Sequence, residues 1–161
     1  MKKIIISALL IPVLTGCTTA PKWVGGADGK DGKTHLEVYM NTITESELKT
    51  HIDIIASDEM QGRDTGSEGQ KKAGKYLIEQ YQKMGLSYPL GADSFYQPVP
   101  SKYMKSAWSP ALPDSENIWA YFEGGELKDE VIVISAHYDH VGMKNKEIYN
   151  GADDNGSGTS A

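Results

Sequence analysis

The apolar run Val131 to Ala136 (VIVISA) constrains the fold most, because it ends directly on ionisable residues. A short run rich in β-branched residues reads as a strand. Its continuous apolarity predicts burial on both faces, as at the centre of an α/β sheet. His137-Tyr138-Asp139-His140 follows at once. In open α/β sheets ligands gather at the carboxyl ends of strands. Side chains of an extended chain alternate with period two, so His137 and Asp139 are expected on one side. A metal-bound imidazole commonly gives its second N–H to a carboxylate, and a backbone bend would bring Asp139 into that role. Taken alone, His-x-Asp is a weak signal and better fits a polar strand end facing solvent.

The second informative stretch is Asn150-Gly-Ala-Asp153-Asp154-Asn155-Gly-Ser-Gly158. Gly151, Gly156 and Gly158 permit a tight loop of unusual backbone conformation. Adjacent carboxylates repel each other unless a cation or hydrogen bonds offset the charge, and one carboxylate can bridge two metal ions. Asp153-x-Asn155-x-Ser157-Gly158 also matches the start of an EF-hand loop. An EF-hand needs an entering helix, whereas a strand and the turn-like segment 144–151 precede this loop.

Upstream, residues 43–56 are predicted to be helical. Thr44 and Glu47 form a capping box, with Ile43 and Leu48 as a hydrophobic staple. Leu48, Ile52 and Ile55 recur at helical spacing and should face the core; His51 lies beside them. Residues 57–66 read as a polar loop. A second helix is expected from Ser67 to Met84, with Ser67 and Gln70 as its cap and Ala73, Tyr76, Leu77, Tyr81 and Met84 as its apolar stripe. Gly85 is placed to end it, with Leu86 closing the contact beyond. Lys71, Lys72 and Lys75 are expected on its solvated face. Segments 94–99 and 117–123 are further strand candidates.

The N-terminus carries a different signal. Lys2 and Lys3 precede an apolar core, Ile4 to Leu14, which is too short to span a bilayer and suits a secretory signal peptide. Leu14-Thr15-Gly16-Cys17 resembles the lipobox of bacterial lipoproteins. That resemblance implies cleavage after residue 16, lipidation of Cys17 and, with Thr18 next, an outer-membrane address in the bacterial envelope. Residues 17–34 then read as the lipidated N-terminus and tether. Cys17 is the only cysteine, so no intramolecular disulfide forms. The formal net charge is −6 and the pI about 5.2, which disfavours nucleic acid as a partner. A mean hydropathy of −0.43 excludes a polytopic membrane protein.

Taken together, SAHYDHVG and IYNGADDNGSGTSA resemble the co-catalytic zinc aminopeptidases of clan MH, which include bacterial leucyl aminopeptidase and aminopeptidase Y. Ser57-Asp-Glu-Met-Gln-Gly-Arg63 and the helix after it are also similar to that family. The resemblance implies an α/β domain over residues 35–161, with a mixed central sheet flanked by helices. It further implies two zinc ions and a peptide substrate. His137 is implied as a ligand of one zinc and Asp153 as the bridge between both. Asp139 is implied as the orienting partner of His137, with Gly151, Asp154 and Asn155 supporting the loop and a cis peptide between Asp153 and Asp154. Neither Arg63 nor His140 receives a catalytic role.

In that family two metals hold a hydroxide and polarise the scissile carbonyl, while a glutamate from a downstream Glu-Glu pair acts as general base. No such pair can be placed in this sequence. The expectation is therefore the N-terminal part of a metallopeptidase domain, incomplete at its C-terminus and inactive alone. The run at 131–136 would then keep one uncovered face, leaving the chain marginally stable. The alternatives are a non-catalytic envelope lipoprotein or remnant, and a glutaminyl-cyclase-like relative on the same scaffold.

Overall fold

The computed structural model describes residues 35–104 and 112–161. The signal peptide, the lipidation site Cys17 and the tether lie outside the described residues. Helix α1 spans His35–Met40 and α2 spans Glu45–Ile55. The start of α2 is fixed by local chemistry. Thr44 Oγ1 accepts from the Glu47 amide at 3.2 Å, and Glu47 Oε2 accepts from the Thr44 amide at 3.2 Å. Two of the helix's otherwise unpartnered N-terminal groups are thereby satisfied, as a capping box requires.

Helix α3 spans Glu68–Lys83. Ser67 Oγ accepts from the Gln70 amide at 3.2 Å, but the expected reciprocal arm is different. Gln70 Oε1 takes the Gly66 amide at 2.5 Å and the Ser115 hydroxyl at 2.8 Å, so it joins the helix start to a distant strand. The helix ends as expected. Gly85 adopts φ +73, the Gly85 amide donates to Gln82 O at 3.0 Å, and the Leu86 amide donates to Tyr81 O at 2.9 Å. This is a Schellman cap, in which a left-handed residue turns the chain back onto the last carbonyls. Lys71 departs from the expected solvated face, since its ammonium is ion-paired to Glu116.

The core is small. Ile55, Met60, Ala73, Leu77 and Tyr138 are buried together, with Ile54, Tyr76 and Ile118 packed against them. Each large apolar side chain buried in such a cluster contributes about 1.5–3 kcal/mol. The expected helical stripes supply most of it, although Met84 is exposed. His51 stands at its margin, its Nδ1 2.6 Å from Tyr76 Oη.

Helices and small antiparallel sheets make up the fold, a mixed α/β arrangement. Strand β1 (Tyr96–Val99) pairs antiparallel with β2 (Ser115–Ile118), placing Tyr96 opposite Ile118 and Val99 opposite Ser115. The strand expected over 117–123 thus begins and ends earlier. Beyond it, the Trp119 amide donates to Phe95 O at 3.0 Å and a Ser87–Tyr121 bridge follows. Strands β3 (Met143–Lys144) and β4 (Glu147–Ile148) form a hairpin. Its two turn residues, Asn145 (φ 52) and Lys146 (φ 70), have the positive φ of a type I′ turn, whose twist matches that of paired strands.

The expected central strand is the main correction. Among the described residues, 131–136 pairs with no strand. Ile132 is 54% exposed and Val133 56%, so the run is not buried on both faces. The physical reason is that a strand's ladder is supplied by its neighbours, and β1 and β2 satisfy each other instead. A multi-stranded central sheet is correspondingly absent among the described residues, which carry two two-stranded sheets.

Candidate metal-ligand strand end and acidic loop

The site is assembled by the segment that sequence reading took for a polar loop. Residues Asp58–Arg63 form a tight turn in which Gln61 and Gly62 leave the helical conformation. Beyond it the chain runs alongside the strand end. Arg63 O accepts from the His140 amide at 3.0 Å, and Gly62 O accepts from the Gly142 amide at 2.9 Å. Asp64 and His140 pair in parallel.

The Arg63 side chain points inward and is fully buried, at 0% exposure. Its Nε donates to Tyr138 O at 2.7 Å. Nη1 donates to Ile55 O at 2.5 Å and to Asn150 O at 2.7 Å, and Nη2 donates to Gly151 O at 2.8 Å. Burial pulls the guanidinium pKa down from its ordinary value, while Asp139 and Asp154 oppose that shift electrostatically. A buried cation is tolerable only when its donors are satisfied. Here backbone carbonyls do that.

His137 follows the unpaired run 131–136. Its Nδ1 lies 3.1 Å from Asp139 O and 3.5 Å from Asp139 Oδ1. The other Asp139 oxygen, Oδ2, accepts from Thr65 Oγ1 at 2.6 Å. His137 Nε2 faces Asp154 Oδ1 at 3.1 Å. His140, with a side chain only 14% exposed, places Nδ1 3.6 Å from Asp154 Oδ2. One carboxylate therefore lies between two imidazoles. Tyr138, between them in sequence, points to the core, and its hydroxyl donates to Glu116 O at 2.8 Å. Burial, then the charges of Glu116 and Asp139 and the nearby Tyr96, push its phenol well above the usual range.

The acidic loop is held at both ends. Gly151 sits at φ +60 against the His140 ring, and the Gly156 amide returns to Gly151 O at 3.0 Å. Helix α4 (Ser157–Ser160) follows, and Thr159 Oγ1 donates to His137 O at 2.9 Å. Asp154 has an extended backbone (φ −120, ψ 85), and successive side chains on extended backbone point to opposite sides. The structure accordingly brings Asp154, not Asp153, to His137. Asp153 is exposed, and its carbonyl accepts from Ser157 Oγ at 3.3 Å. Asn155 packs its amide against Gly158. The cis peptide joins Asp154 to Asn155, one bond later than the resemblance implies.

Sequence reading missed Arg63 as a connector and His140 as a neighbour of Asp154. The repeated His in His137-x-x-His140 was a usable signal for the second. An arginine in a short polar loop offered none, because its partners are carbonyls, which every residue has.

A cleft of about 560 Å³ opens beside His137, lined by Leu77, Tyr81, Ile118 and Ile134 among others. A zinc site takes four ligands in tetrahedral array, three of them from protein even when catalytic. Among the described residues no group of three or more His, Cys, Asp or Glu side chains is arranged to hold a metal ion. The described donor set therefore does not fit a pair of zinc ions.

His137, about half exposed, thus stands between the Asp139 and Asp154 carboxylates at the mouth of an acidic, glycine-rich loop. Residues 117–161 match the sequence model of Peptidase family M28, a zinc aminopeptidase-type family. That match supports zinc-dependent peptidase chemistry in general. No curated protein and no solved structure gives a significant match. Among the described residues no helix is long and apolar enough to cross a membrane.

Proposed function

We propose that the chain carries part of the site of a zinc-dependent exopeptidase hydrolysing amino-terminal peptide bonds. We propose also that it is held at the bacterial envelope, at the outer membrane, by acyl chains on Cys17. The observation that carries the first reading is the grouping of His137, Asp139 and Asp154 inside the stretch that matches Peptidase family M28. The lipobox-like LTGC sequence supports the second. Multiple acyl chains anchor a protein stably without a spanning helix.

In this reading Thr65 holds Asp139, Asp139 orients His137, and the cleft beside His137 receives the substrate side chain. His137 and Asp153 remain the candidate ligands, with Asp154 beside them. Among the described residues no group of three or more His, Cys, Asp or Glu side chains is placed to hold a metal ion, so any further ligand must be brought in by rearrangement or by residues outside that set. The test uses aminoacyl chromogenic amides and their N-acetylated counterparts, with protein isolated from its native membranes. Zinc-dependent hydrolysis confined to free amino termini is expected. Equal hydrolysis of the acetylated compounds, or cyclisation of N-terminal glutamine instead, refutes the aminopeptidase reading. Replacing Cys17→Ser should abolish acyl labelling and release the protein from membranes.

A second reading, a non-catalytic envelope lipoprotein, is favoured by the lack of a three-donor group among the described residues. It predicts membrane attachment without hydrolysis or zinc binding in the native protein.

A further inference from the structure

The Arg63 guanidinium joins three chain segments through four carbonyls, and two of those segments carry the candidate ligands. Ile55 closes α2. Tyr138 lies between His137 and Asp139. Asn150 and Gly151 lead into the Asp153–Asp154 loop. We propose that Arg63 is a positioning residue that sets the separation between the His137–His140 segment and the acidic loop. Its functional meaning rests on the peptidase reading above, but its geometry does not.

Three observations carry the inference. The first is placement: no bond of Arg63 is to a side chain, so the group does not neutralise a carboxylate by contact. The second is direction. A guanidinium offers five donors in one plane, with fixed angles between them. Carbonyls bound to it are therefore held at set distances from one another, here those of 138, 150 and 151. The third is that the Arg63 carbonyl grips the same His137–His140 segment, accepting from the His140 amide at 3.0 Å. Main chain and side chain of one residue thus hold opposite sides of the site. His137 Nε2 meets Asp154 Oδ1 at 3.1 Å only while that frame holds. An ammonium on a flexible stem has three donors and no plane, so lysine cannot reproduce the frame.

The experiment is amide hydrogen exchange and nuclear Overhauser spectroscopy on the full chain, comparing wild type with Arg63→Lys. Expected is a loss of protection of about tenfold or more at the Gly156 and Tyr149 amides, the scale of losing one bond to a charged donor. Protection at the α3 amides around Leu77 should stay within about twofold, a local opening rather than a global one. The proximity of the His137 ring to the Asp154 side chain, 3.1 Å from Nε2 to Oδ1, should be lost. Unchanged loop protection and an intact His137–Asp154 contact would overturn the proposal. So would an even loss over loop and α3, which marks a role in general stability only. Should the variant not fold, the unmodified chain still decides. Its Arg63 Nε–H and Nη–H protons must exchange slowly with water, the first lying near Tyr138 and the others near Asn150 and Gly151. Fast exchange overturns the proposal. None of these readouts needs zinc or activity, so failure of the peptidase reading leaves this one to be decided separately.

Discussion

Replacing Gly151→Ala tests how tightly the acidic loop is built. Gly151 has φ +60, a conformation that costs an L-residue about 1–2 kcal/mol. An added Cβ would also lie 2.5 Å from His140 Cγ, 2.6 Å from Cδ2 and 2.8 Å from Asp154 O. His140 has little room to retreat, because its side chain is 14% exposed. Overpacking of this kind costs about 1–3 kcal/mol, for a total of about 2–5 kcal/mol. The structure supplies its own control. Gly85 has φ +73, yet a Cβ there meets nothing within 4 Å, so Gly85→Ala isolates the conformational cost. Urea unfolding of both variants, read by far-ultraviolet circular dichroism, should place Gly151→Ala about 1–3 kcal/mol below Gly85→Ala. Equal losses would refute the argument, since they would mean that His140 and Asp154 do not enclose Gly151.

Three further outcomes are expected. Thr44→Ala removes the capping box of α2 and should cost about 1 kcal/mol in the same unfolding assay. Ile55→Ala empties a position that is fully buried in the core and should cost about 2–5 kcal/mol, read as a lowered melting temperature. Tyr138 is kept protonated in the folded chain by burial first and by Glu116 next, so its folded pKa lies above the unfolded value of about 10. The folded state then holds a proton that the unfolded state gives up. Its stabilising effect is whole below about pH 10 and falls as pH rises beyond it. Tyr138→Phe should flatten that alkaline decline in pH-dependent unfolding, and ultraviolet difference titration should show one phenol of the wild type resisting ionisation.

The parts of the fold legible in the sequence were those governed by neighbours in the chain. Thr44, Glu47, Ser67, Gly85 and Leu86 act within one turn of their own positions, and the structure bears out both helix starts and the Gly85 stop. Helical spacing likewise identified Ile55, Ala73 and Leu77 as core. The run 131–136 failed because apolarity states a need for neighbours without supplying them. Within the site, composition pointed to the His137–His140 and 150–158 stretches. Which carboxylate faces His137 depended on the backbone angles at Asp154, which no pattern of residue types encodes. Arg63 was hidden for a related reason, since burial turns a charged loop residue into a connector only when carbonyls distant in sequence converge on it.

That convergence orders events during synthesis. Helices α2 and α3 and the turn between them come from local contacts, which form early. Arg63 finds Ile55 only eight positions away, but Tyr138, Asn150 and Gly151 lie 75, 87 and 88 positions downstream. Until those carbonyls leave the ribosome, the guanidinium must keep its water, and the pocket that will receive it must stay open. A nascent chain halted before residue 150 would hold a half-built core around a hydrated cation. The arginine that sits early in the site is thus enclosed only once residues 87 and 88 positions downstream have been made.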